Sequence, residues 1–517
     1  MALHILSRSF LNLERLARFP DGRRARGALL VLGCALIPAW QATFWAARDR
    51  LSDRYRLQAS TGLLAQDKFV YFLYYLGLFP VATEREDLVY SRDAARELLA
   101  RHGETLLMEW KNSYRSGSLG TTLLYLPDAL LKGAPRDPSV RPCNAMALTA
   151  GLVALFVSFW YARQAILGLL LVVLLGSNPF QLHEVYAREN TFGWPITTAV
   201  WLLALHAPLL GERKAARGFL WAVPVAAGLL LASVKQVRPE PLVLILSPLG
   251  CYLLLAQARW LVRVGLALVL VAAYGAGTWA WASFFDAKFA QARRVVEQAG
   301  GHPYVGPRSR SHLFWHPIWC GLGDFDTTHG YKWDDQAAAD YALPVLERDY
   351  GVKVPAARRT RVLFENTYWD KAGRYYVMPY ELPHYEDVIR DKVLGDIARD
   401  PLWYFGILAQ RAWRIARQTT SPRLAFGVFS LEIPMHGLIA VPVLALLAAR
   451  RCWMMLKLVG FVLPLSLPAL LIFSGLGLCH YSCYPLVVTA LIAAWLAEAA
   501  LHRLAHAPAP AREGAAK

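Results

Sequence analysis

Side chains that could do chemistry gather in four short stretches of a chain whose residues are 56% hydrophobic. They are the acid-rich Phe79–Trp110, then NPFQLHEVYARENTFGW at Asn178–Trp194, VKQVRPEP at Val234–Pro241, and HLFWHPIWCGLGDFDTTHGYKWDD at His312–Asp335. Carboxylates and histidines act as general acids and bases, and lysine and arginine donate charge-assisted hydrogen bonds to phosphate oxygens. These residue types favour a functional site that includes a phosphate-bearing ligand.

The first stretch supplies a candidate functional acid. Its clustered acids are Glu84, Glu86, Asp87 and Asp93, and an amphipathic helix is predicted from Leu88 to His102. Asp87 alone could be explained as a cap on that helix. A helix cap accounts for one acid and not for the cluster, so a functional acid is predicted in this stretch.

The second and third stretches supply candidate ligands for a phosphate or substrate. The second is a predicted turn that holds His183, Glu184, Arg188 and Glu189; an ordinary solvated turn is the alternative. In the third, Lys235 and Arg238 end an apolar block, where they could snorkel to lipid headgroups or bind a phosphate. We expect Lys235, Arg238 and Arg188 to bind phosphate, and His183, Glu184 and Glu189 to bind substrate.

The fourth stretch is predicted to bind a sugar, with tryptophans stacking on the ring. Its candidate residues are His312, Trp315, His316, Asp324 and Asp326, and His480 in a later loop joins them. The alternative is a loop folded onto the interfacial aromatic belt. A calcium loop is matched by spacing at Asp324, Asp326, Thr328 and Asp335, but His329 stands where glycine is required. No cofactor is therefore predicted, with Ca²⁺ or Mg²⁺ as the open alternative. Pro317 also argues against a helical His312–His316 metal pair.

Long apolar blocks predict the fold class, an all-α polytopic membrane protein with about ten transmembrane helices and two large extracytoplasmic loop segments. A span needs about 20 apolar residues, and a helix that is apolar all round has no polar face to leave in water. The predicted spans are 27–46, 144–161, 164–180, 192–210, 218–234, 240–257, 260–283, 432–449, 458–474 and 483–501. Phe69–Phe79 is apolar but too short to span, and it is the segment that would change the topology.

Lysine and arginine are concentrated in alternate connecting segments, which places the N-terminus in the cytoplasm. The predicted organisation is a basic cytoplasmic N-terminus at 1–26, a transmembrane module at 27–283 with its first periplasmic loop at 48–143, a periplasmic loop domain at 284–431, transmembrane helices at 432–501 and a disordered cytoplasmic tail at 502–517. The Ala-, Leu- and Arg-rich composition favours a bacterial inner membrane with the site facing the periplasm.

Three further features of the sequence bear on the class of protein and on its partners. The net charge of +17 is explained by the loop arginines, and no nucleic-acid motif accompanies it. Seven cysteines include no CxxC pair, and the sequence assigns no disulfide among Cys143, Cys320, Cys479 and Cys483. Asp400 and Pro401 predict the start of a basic amphipathic surface helix, which could bind lipid phosphate or simply anchor the chain.

These features together resemble the GT-C superfamily of integral-membrane glycosyltransferases, in particular protein O-mannosyltransferases and the aminoarabinose transferases of lipid A. The resemblance covers the whole chain: many spans, an acid-rich first outer loop and a long outer segment before the last spans. Glu86 and Asp87 best match the family's catalytic acid in the first outer loop. The family acid usually follows the first span closely, a position that Asp49 and Asp53 hold here, so Asp53 is the alternative base.

The resemblance implies sugar transfer from a polyprenyl-phosphate donor to a glycan, lipid or protein acceptor. Phosphate is a good leaving group, so one carboxylate base and a single inverting displacement would suffice. The positive charges of Lys235, Arg238 and Arg188 would stabilise the departing phosphate. A lipid-linked polysaccharide polymerase or ligase, a lipid or solute transporter, and a non-catalytic lipid-binding protein are the alternatives.

Overall fold

A computed structural model describes the chain as mostly helical. The described residues are 23–54, 119–132, 139–188, 191–210, 217–238, 240–256, 258–298, 314–353, 382–420, 422–472 and 484–505, with a few positions between 368 and 379. The apolar blocks predicted as spans are mostly helical, because in such blocks the backbone must satisfy its own hydrogen bonds. The block at 432–449 is the exception, since it begins with strand residues and is helical only from Gly437.

The N-terminal half forms a helical bundle. Its helices are α1 (Arg23–Arg54), α2 (Leu126–Lys132, after a 3₁₀ turn at Leu119–Tyr125), α3 (Arg141–Tyr161), α4 (Ala165–Gly176), α5 (Pro179–Ala187), α6 (Trp194–Leu210), α7 (Arg217–Lys235), α8 (Leu246–Gly250, between a 3₁₀ turn at Glu240–Ile245 and a π-helix at Cys251–Leu255) and α9 (Trp260–Gln298). Helix α9 continues 15 residues beyond the predicted end of its span at 283, so part of the predicted loop domain is helix.

Four of the described helices are long and apolar enough to cross a membrane: Gly27–Leu51, Arg141–Tyr161, Trp260–Gln291 and Trp453–Leu471. Helices α4 and α5, bent by 51° at their junction, would together make a fifth. The other five predicted spans coincide with apolar helices of 10–17 residues, which is short of the usual spanning length. The described part of the chain thus has four or five helices that could span a membrane.

Small residues bring α7 and α9 into close contact. A Cβ added at Gly228 would lie 2.6 Å from the carbonyl oxygen of Leu270, and one added at Gly277 would lie 2.7 Å from the Cβ of Ala232. Such close approach of backbones is how helices associate when no hydrophobic driving force exists between them. The pair packs beside the main core, which α1, α3, α4, α6 and α17 (Tyr484–Ala505) share.

Residues 314–417 form a helical subdomain. Its helices are α10 (Trp315–Leu322), α11 (Asp335–Tyr350), α12 (Tyr385–Arg399) and α13 (Pro401–Arg417), with a short antiparallel pair, β1 (Tyr368–Trp369) and β2 (Tyr375–Tyr376). Trp319 and Tyr385 are among the side chains at its core. Asp400 caps α13 by accepting from the backbone N of Trp403 at 3.0 Å, as its sequence predicts.

Two antiparallel strand pairs follow: β3 (Thr419–Thr420) with β6 (Met435–His436), and β4 (Arg423–Phe426) with β5 (Phe429–Glu432). The β4–β5 hairpin turns at Gly427, whose φ of 55° suits glycine. It is fastened to α1, because Trp40 Nε1 donates to the carbonyl oxygen of Ala425 at 2.7 Å and the backbone N of Gly427 donates to Thr43 Oγ1 at 2.9 Å.

The chain closes with α14 (Ala440–Ala449), α15 (Trp453–Val462), α16 (Leu467–Leu471) and α17. Helix α17 reaches Ala505, so the first four residues of the predicted disordered tail are helical. Arg411 of α13 donates to the carbonyl oxygens of Leu470 and Leu471 at 3.1 and 3.3 Å. The subdomain is therefore joined to the bundle at the end of α16.

Candidate functional site

The second stretch singled out in the sequence forms a buried helix rather than a solvated turn. Asn178 accepts from the backbone N of Phe180 and of Gln181, and Pro179 occupies the first helical position. A single α-helical turn then passes into a π-helix over Leu182–Ala187. A π-helix widens the turn and often accompanies a functional site. Here it presents ionisable side chains to the interior of the bundle.

Glu184 is the centre of this cluster. Its Oε1 accepts from Arg188 Nη1 at 2.8 Å and lies 3.0 Å from His183 Nδ1. All three residues are buried. A buried carboxylate needs such partners, because an isolated buried charge is costly.

The bundle fits closely around the cluster. A Cβ at Gly193 would lie 2.9 Å from Val185 Cγ2 and 3.4 Å from Glu184 Cβ. Tyr186 donates to Gln41 Oε1 of α1 at 2.7 Å, so α5 is also tied to the first helix. Because Gly193 has no side chain, the backbone at this position can lie next to Glu184.

Arg238, just beyond the end of α7, joins the same region. Its guanidinium carbon lies 4.5 Å from the centroid of the Phe192 ring, and that of Arg188 lies 5.9 Å from the same ring. Arg238 also donates to Thr191 Oγ1 at 3.4 Å. Two buried arginines thus meet on one aromatic ring beside Glu184. Lys235, predicted to work with Arg238, instead lies 5.8 Å from the ring of Tyr274 on α9.

The cluster lies where several helix ends meet. Trp194 Nε1 at the start of α6 donates to Asn144 Oδ1 of α3 at 2.9 Å. Arg141 of α3 pairs with Asp49 of α1 at 3.6 Å. The backbone N of Gly120 donates to the carbonyl oxygen of Gln236 at 2.8 Å, and these contacts bring several of the predicted outer ends together at one end of the bundle.

The fourth stretch is mainly a structural part of the helical subdomain. Trp319 is 2% exposed, so its ring cannot stack on a ligand. Trp315 is half-buried, and Glu386 accepts from its backbone N at 2.8 Å and from that of His316 at 3.1 Å. Glu386 thereby satisfies donors at the start of α10.

The carboxylates of this stretch face different partners, so the calcium-loop spacing does not produce a shared ion site. Asp326 accepts from the backbone N of Thr328, of His329 and of Tyr331, and from Trp403 Nε1. Although burial raises the pKa of Asp326, these donors outweigh it and hold the pKa below its usual value. Asp324 pairs with Arg414 at 3.2 Å, and Asp335 with His316 at 3.1 Å.

A groove of about 550 Å³ opens beside α13. Arg414 and Arg417 supply its positive charge, and its other lining residues are Phe325, Gln410, Trp413, Thr419 and His436. The sequence predicted a basic amphipathic helix here, but it gave no sign that Phe325 and His436 would complete a groove. Asp324 and Arg414 connect this groove to the fourth stretch.

Several predicted residues have no structural description. Glu86, Asp87, Glu189, His312 and His480 lie outside the described residues, as does Phe69–Phe79; Asp53 lies in α1, where the structure describes its backbone. No sequence motif marks the contributions of Gln41, Thr191, Phe192 and Glu386. Among the described residues, His316, Cys320 and Asp335 are the one set of three potential metal ligands with mutually close ligand atoms.

No protein-family model matches the chain, and no curated protein or solved structure matches it significantly.

Proposed function

We propose that this chain is a membrane glycosyltransferase that moves a sugar from a polyprenyl-phosphate donor to a glycan, lipid or protein acceptor. The observation that carries the proposal is the pair of buried guanidinium groups, Arg188 and Arg238, on the Phe192 ring beside Glu184. Guanidinium groups match phosphate oxygens geometrically and keep their charge when buried. The GT-C resemblance supports the same assignment.

In the proposed reaction, Arg188 and Arg238 hold the donor phosphate and stabilise the negative charge that develops on it. A carboxylate of the first long loop, Asp87 with Glu86 beside it or Asp53 as the alternative, takes the proton of the acceptor hydroxyl. The hydroxyl oxygen displaces the phosphate at the anomeric carbon in one step, which inverts the configuration.

The proposed setting is the ten-span topology, with the site on the periplasmic face of a bacterial inner membrane. A lipid-linked donor would then reach the site by lateral diffusion within the bilayer. The groove beside α13 suits an anionic, partly apolar ligand, because Arg414 and Arg417 lie next to Trp413 and Phe325. It is the proposed approach for the donor or acceptor lipid.

The decisive experiment is sugar transfer by the purified protein in nanodiscs supplied with polyprenyl-phosphate sugars. We expect the wild type to transfer sugar, and Arg238→Gln to lose about a hundredfold or more in rate, as removal of a charge-stabilising donor does in other enzymes. Asp87→Asn should lose transfer as well. Arg259→Gln, which changes an exposed arginine at α9's start, is the matched control and should keep the wild-type rate.

Equal rates for Arg238→Gln and Arg259→Gln would remove the arginine pair from the mechanism. Transfer that survives in Asp87→Asn would move the base to Asp53. An enzyme that polymerises lipid-diphosphate substrates in the same assay would be the polymerase or ligase alternative.

A transporter is the second candidate, and the bend between α4 and α5 favours it. A helix broken by 51°, with Glu184 and Arg188 buried just after the break, resembles the discontinuous helices that bind ions in transporters. Movement of a lipid phosphate across proteoliposomes without any sugar transfer would support this candidate and exclude the first.

A further inference from the structure

Three side chains of different chemistry converge at the start of α10 and α11. His316 Nε2 lies 3.1 Å from Asp335 Oδ1, Cys320 Sγ lies 3.6 Å from the same oxygen, and Cys320 Sγ lies 3.9 Å from His316 Nε2. His316 and Cys320 are buried, whereas the Asp335 side chain is 56% exposed. One nitrogen, one sulfur and one oxygen thus form a small triangle that opens to solvent at the carboxylate.

The dimensions of that triangle fit a tetrahedral zinc ion. Zinc binds imidazole nitrogen and carboxylate oxygen at about 2.0–2.1 Å and thiolate sulfur at about 2.3 Å, which places three such ligand atoms roughly 3.3–3.6 Å apart. Each of the three observed distances lies within about 0.3 Å of this range. An ion could enter with little movement of the side chains.

Local structure explains why the three residues meet. His316 and Cys320 are four apart in α10 and so lie on one face. Pro317 does not prevent this, because it lies in the first turn of the helix, where no hydrogen bond to an earlier turn is lost. Asp335 begins α11, whose cap, Asp334, accepts from the backbone N of Gln336. The first turn of α11 thereby faces the side of α10 that carries His316 and Cys320.

The second ring nitrogen of His316 is also held. Its Nδ1 lies 2.8 Å from the hydroxyl of Tyr385, a core residue of α12. A histidine that binds a metal through Nε2 usually donates its other N–H to an oxygen, which fixes the ring orientation. The tyrosine hydroxyl can accept that hydrogen bond and leave Nε2 for the ion.

We propose that His316, Cys320 and Asp335 bind a zinc ion that joins α10 to α11, with water in the fourth coordination position. The ligand set selects this class of metal: thiolate and imidazole suit Zn²⁺, whereas Ca²⁺ and Mg²⁺ take oxygen ligands. The thiol of Cys320 gives up its proton on binding, so one proton is released per ion. This site is separate from the arginine pair, and it can exist whether or not the chain transfers sugar.

The ion has a definite structural consequence. It links the two helices that flank the 323–334 loop, whose described contacts include the four hydrogen bonds to Asp326. A ligand that binds only the folded state raises stability in proportion to the logarithm of its concentration. Zinc should therefore raise the temperature at which the subdomain unfolds.

The test uses the full-length protein carrying an affinity tag without histidine, stripped with a chelator and titrated with Co²⁺, a spectroscopic substitute for zinc. We expect one equivalent of Co²⁺ to produce a thiolate-to-cobalt charge-transfer band, and Zn²⁺ to displace it. Cys320→Ser should abolish the band. Asp335→Asn should weaken cobalt binding and retain the band at higher metal concentration.

Cys452→Ser is the matched control, because Cys452 is also buried and also lies near a carboxylate, 3.4 Å from Glu498 Oε1. It should leave the band and the zinc-dependent rise in unfolding temperature unchanged. If the folded wild type gives no band and zinc leaves its unfolding temperature where it was, the triangle is only a hydrogen-bonded cluster. A band that persists in Cys320→Ser would also overturn the proposal.

Discussion

At the scale of single residues, the charge state of a buried carboxylate depends on its hydrogen-bond and ion-pair partners. Asp396 is 2% exposed. It accepts from Lys392 Nζ and from the Tyr331 hydroxyl, each at 2.8 Å. Burial by itself raises the pKa of Asp396, but these two hydrogen bonds and the charge of Lys392 outweigh it and hold the pKa below its usual value. The ionised carboxylate therefore stabilises the fold.

Replacing Asp396 by asparagine should lower the free energy of unfolding by about 1.5–3 kcal/mol at neutral pH, the usual contribution of a hydrogen bond to a charged group. Because the folded-state pKa is lowered, this contribution is complete above the unfolded-state pKa of about 3.9 and is lost as pH falls through the folded-state value. Denaturant unfolding of wild type and variant, measured at neutral pH and again in acid, checks this.

The difference between wild type and Asp396→Asn should shrink in acid. Asp340→Asn, on the exposed side of α11, is the control and should stay within about 0.5 kcal/mol of wild type. A deficit for Asp396→Asn that is the same at every pH would show that its charge is not what stabilises the subdomain.

Residue types, but not their partners, could be predicted from sequence. The sequence marks the stretch around His316 as chemically unusual, but it indicates nothing for Cys320 beyond an unassigned disulfide. The contact between Cys320 and Asp335 joins residues fifteen positions apart and depends on how two helices pack. Similarly, Arg188 and Arg238 were both predicted to bind phosphate, but nothing in the sequence indicates that the Phe192 ring brings them together.

At the scale of elements, one local signal predicted a helix start and another was misinterpreted. Asp400–Pro401 caps a helix as predicted, because an Asx side chain accepts from nearby backbone N–H groups whatever surrounds it. Asn178–Pro179 was predicted to end a span and enter a turn, but it caps a helix in the same way. Helix faces that contact each other were harder to predict. The fit of α7 against α9 depends on glycines whose importance becomes visible only when the two helices are placed side by side.

Two glycines of α9, two residues apart, should respond in opposite ways to substitution. A Cβ at Gly277 would meet Ala232 at 2.7 Å, whereas a Cβ at Gly275 has nothing within 4 Å. Gly277→Leu should force α7 and α9 apart and cost about 1–3 kcal/mol or more. Gly275→Leu should be tolerated, and it gains helix propensity.

Thermal unfolding and gel-filtration profiles of the two variants in the same detergent provide the measurement. Similar behaviour of Gly275→Leu and Gly277→Leu would argue against the close packing of α7 on α9. The pair makes a controlled comparison, since the two proteins have identical composition.

At the scale of the whole molecule, the proposed topology assigns each end of the helices to one side of a membrane. The helical subdomain at residues 314–417 and the short connection between α14 and α15 lie far apart in the proposed topology. In that topology the first would lie on the outer side and the second on the inner side. Asp340 of the first and Ala449, at the end of α14 beside the second, are both exposed. This prediction of topology depends on the distribution of arginines among the loops.

Single cysteines at these two positions test the topology. We expect a membrane-impermeant maleimide to label Asp340→Cys in cells whose inner membrane is intact, and Ala449→Cys only after that membrane is opened. The unmodified protein gives the background, which should be small for Cys320 and Cys452 because both are buried. Labelling of both positions from the same side would contradict the ten-span arrangement.

The bonds from Trp40 and Thr43 to the β4–β5 hairpin have a consequence for biogenesis. Trp40 and Ala425 are 385 positions apart in the chain, and translation proceeds at about 5–20 residues per second, so α1 is made roughly 20–80 s before its partner leaves the ribosome. During that interval the indole N–H of Trp40 and the hydroxyl of Thr43 have no hairpin to bind. The nascent N-terminal helices must be kept from wrong associations until the hairpin arrives, which makes the order of synthesis part of how this protein assembles.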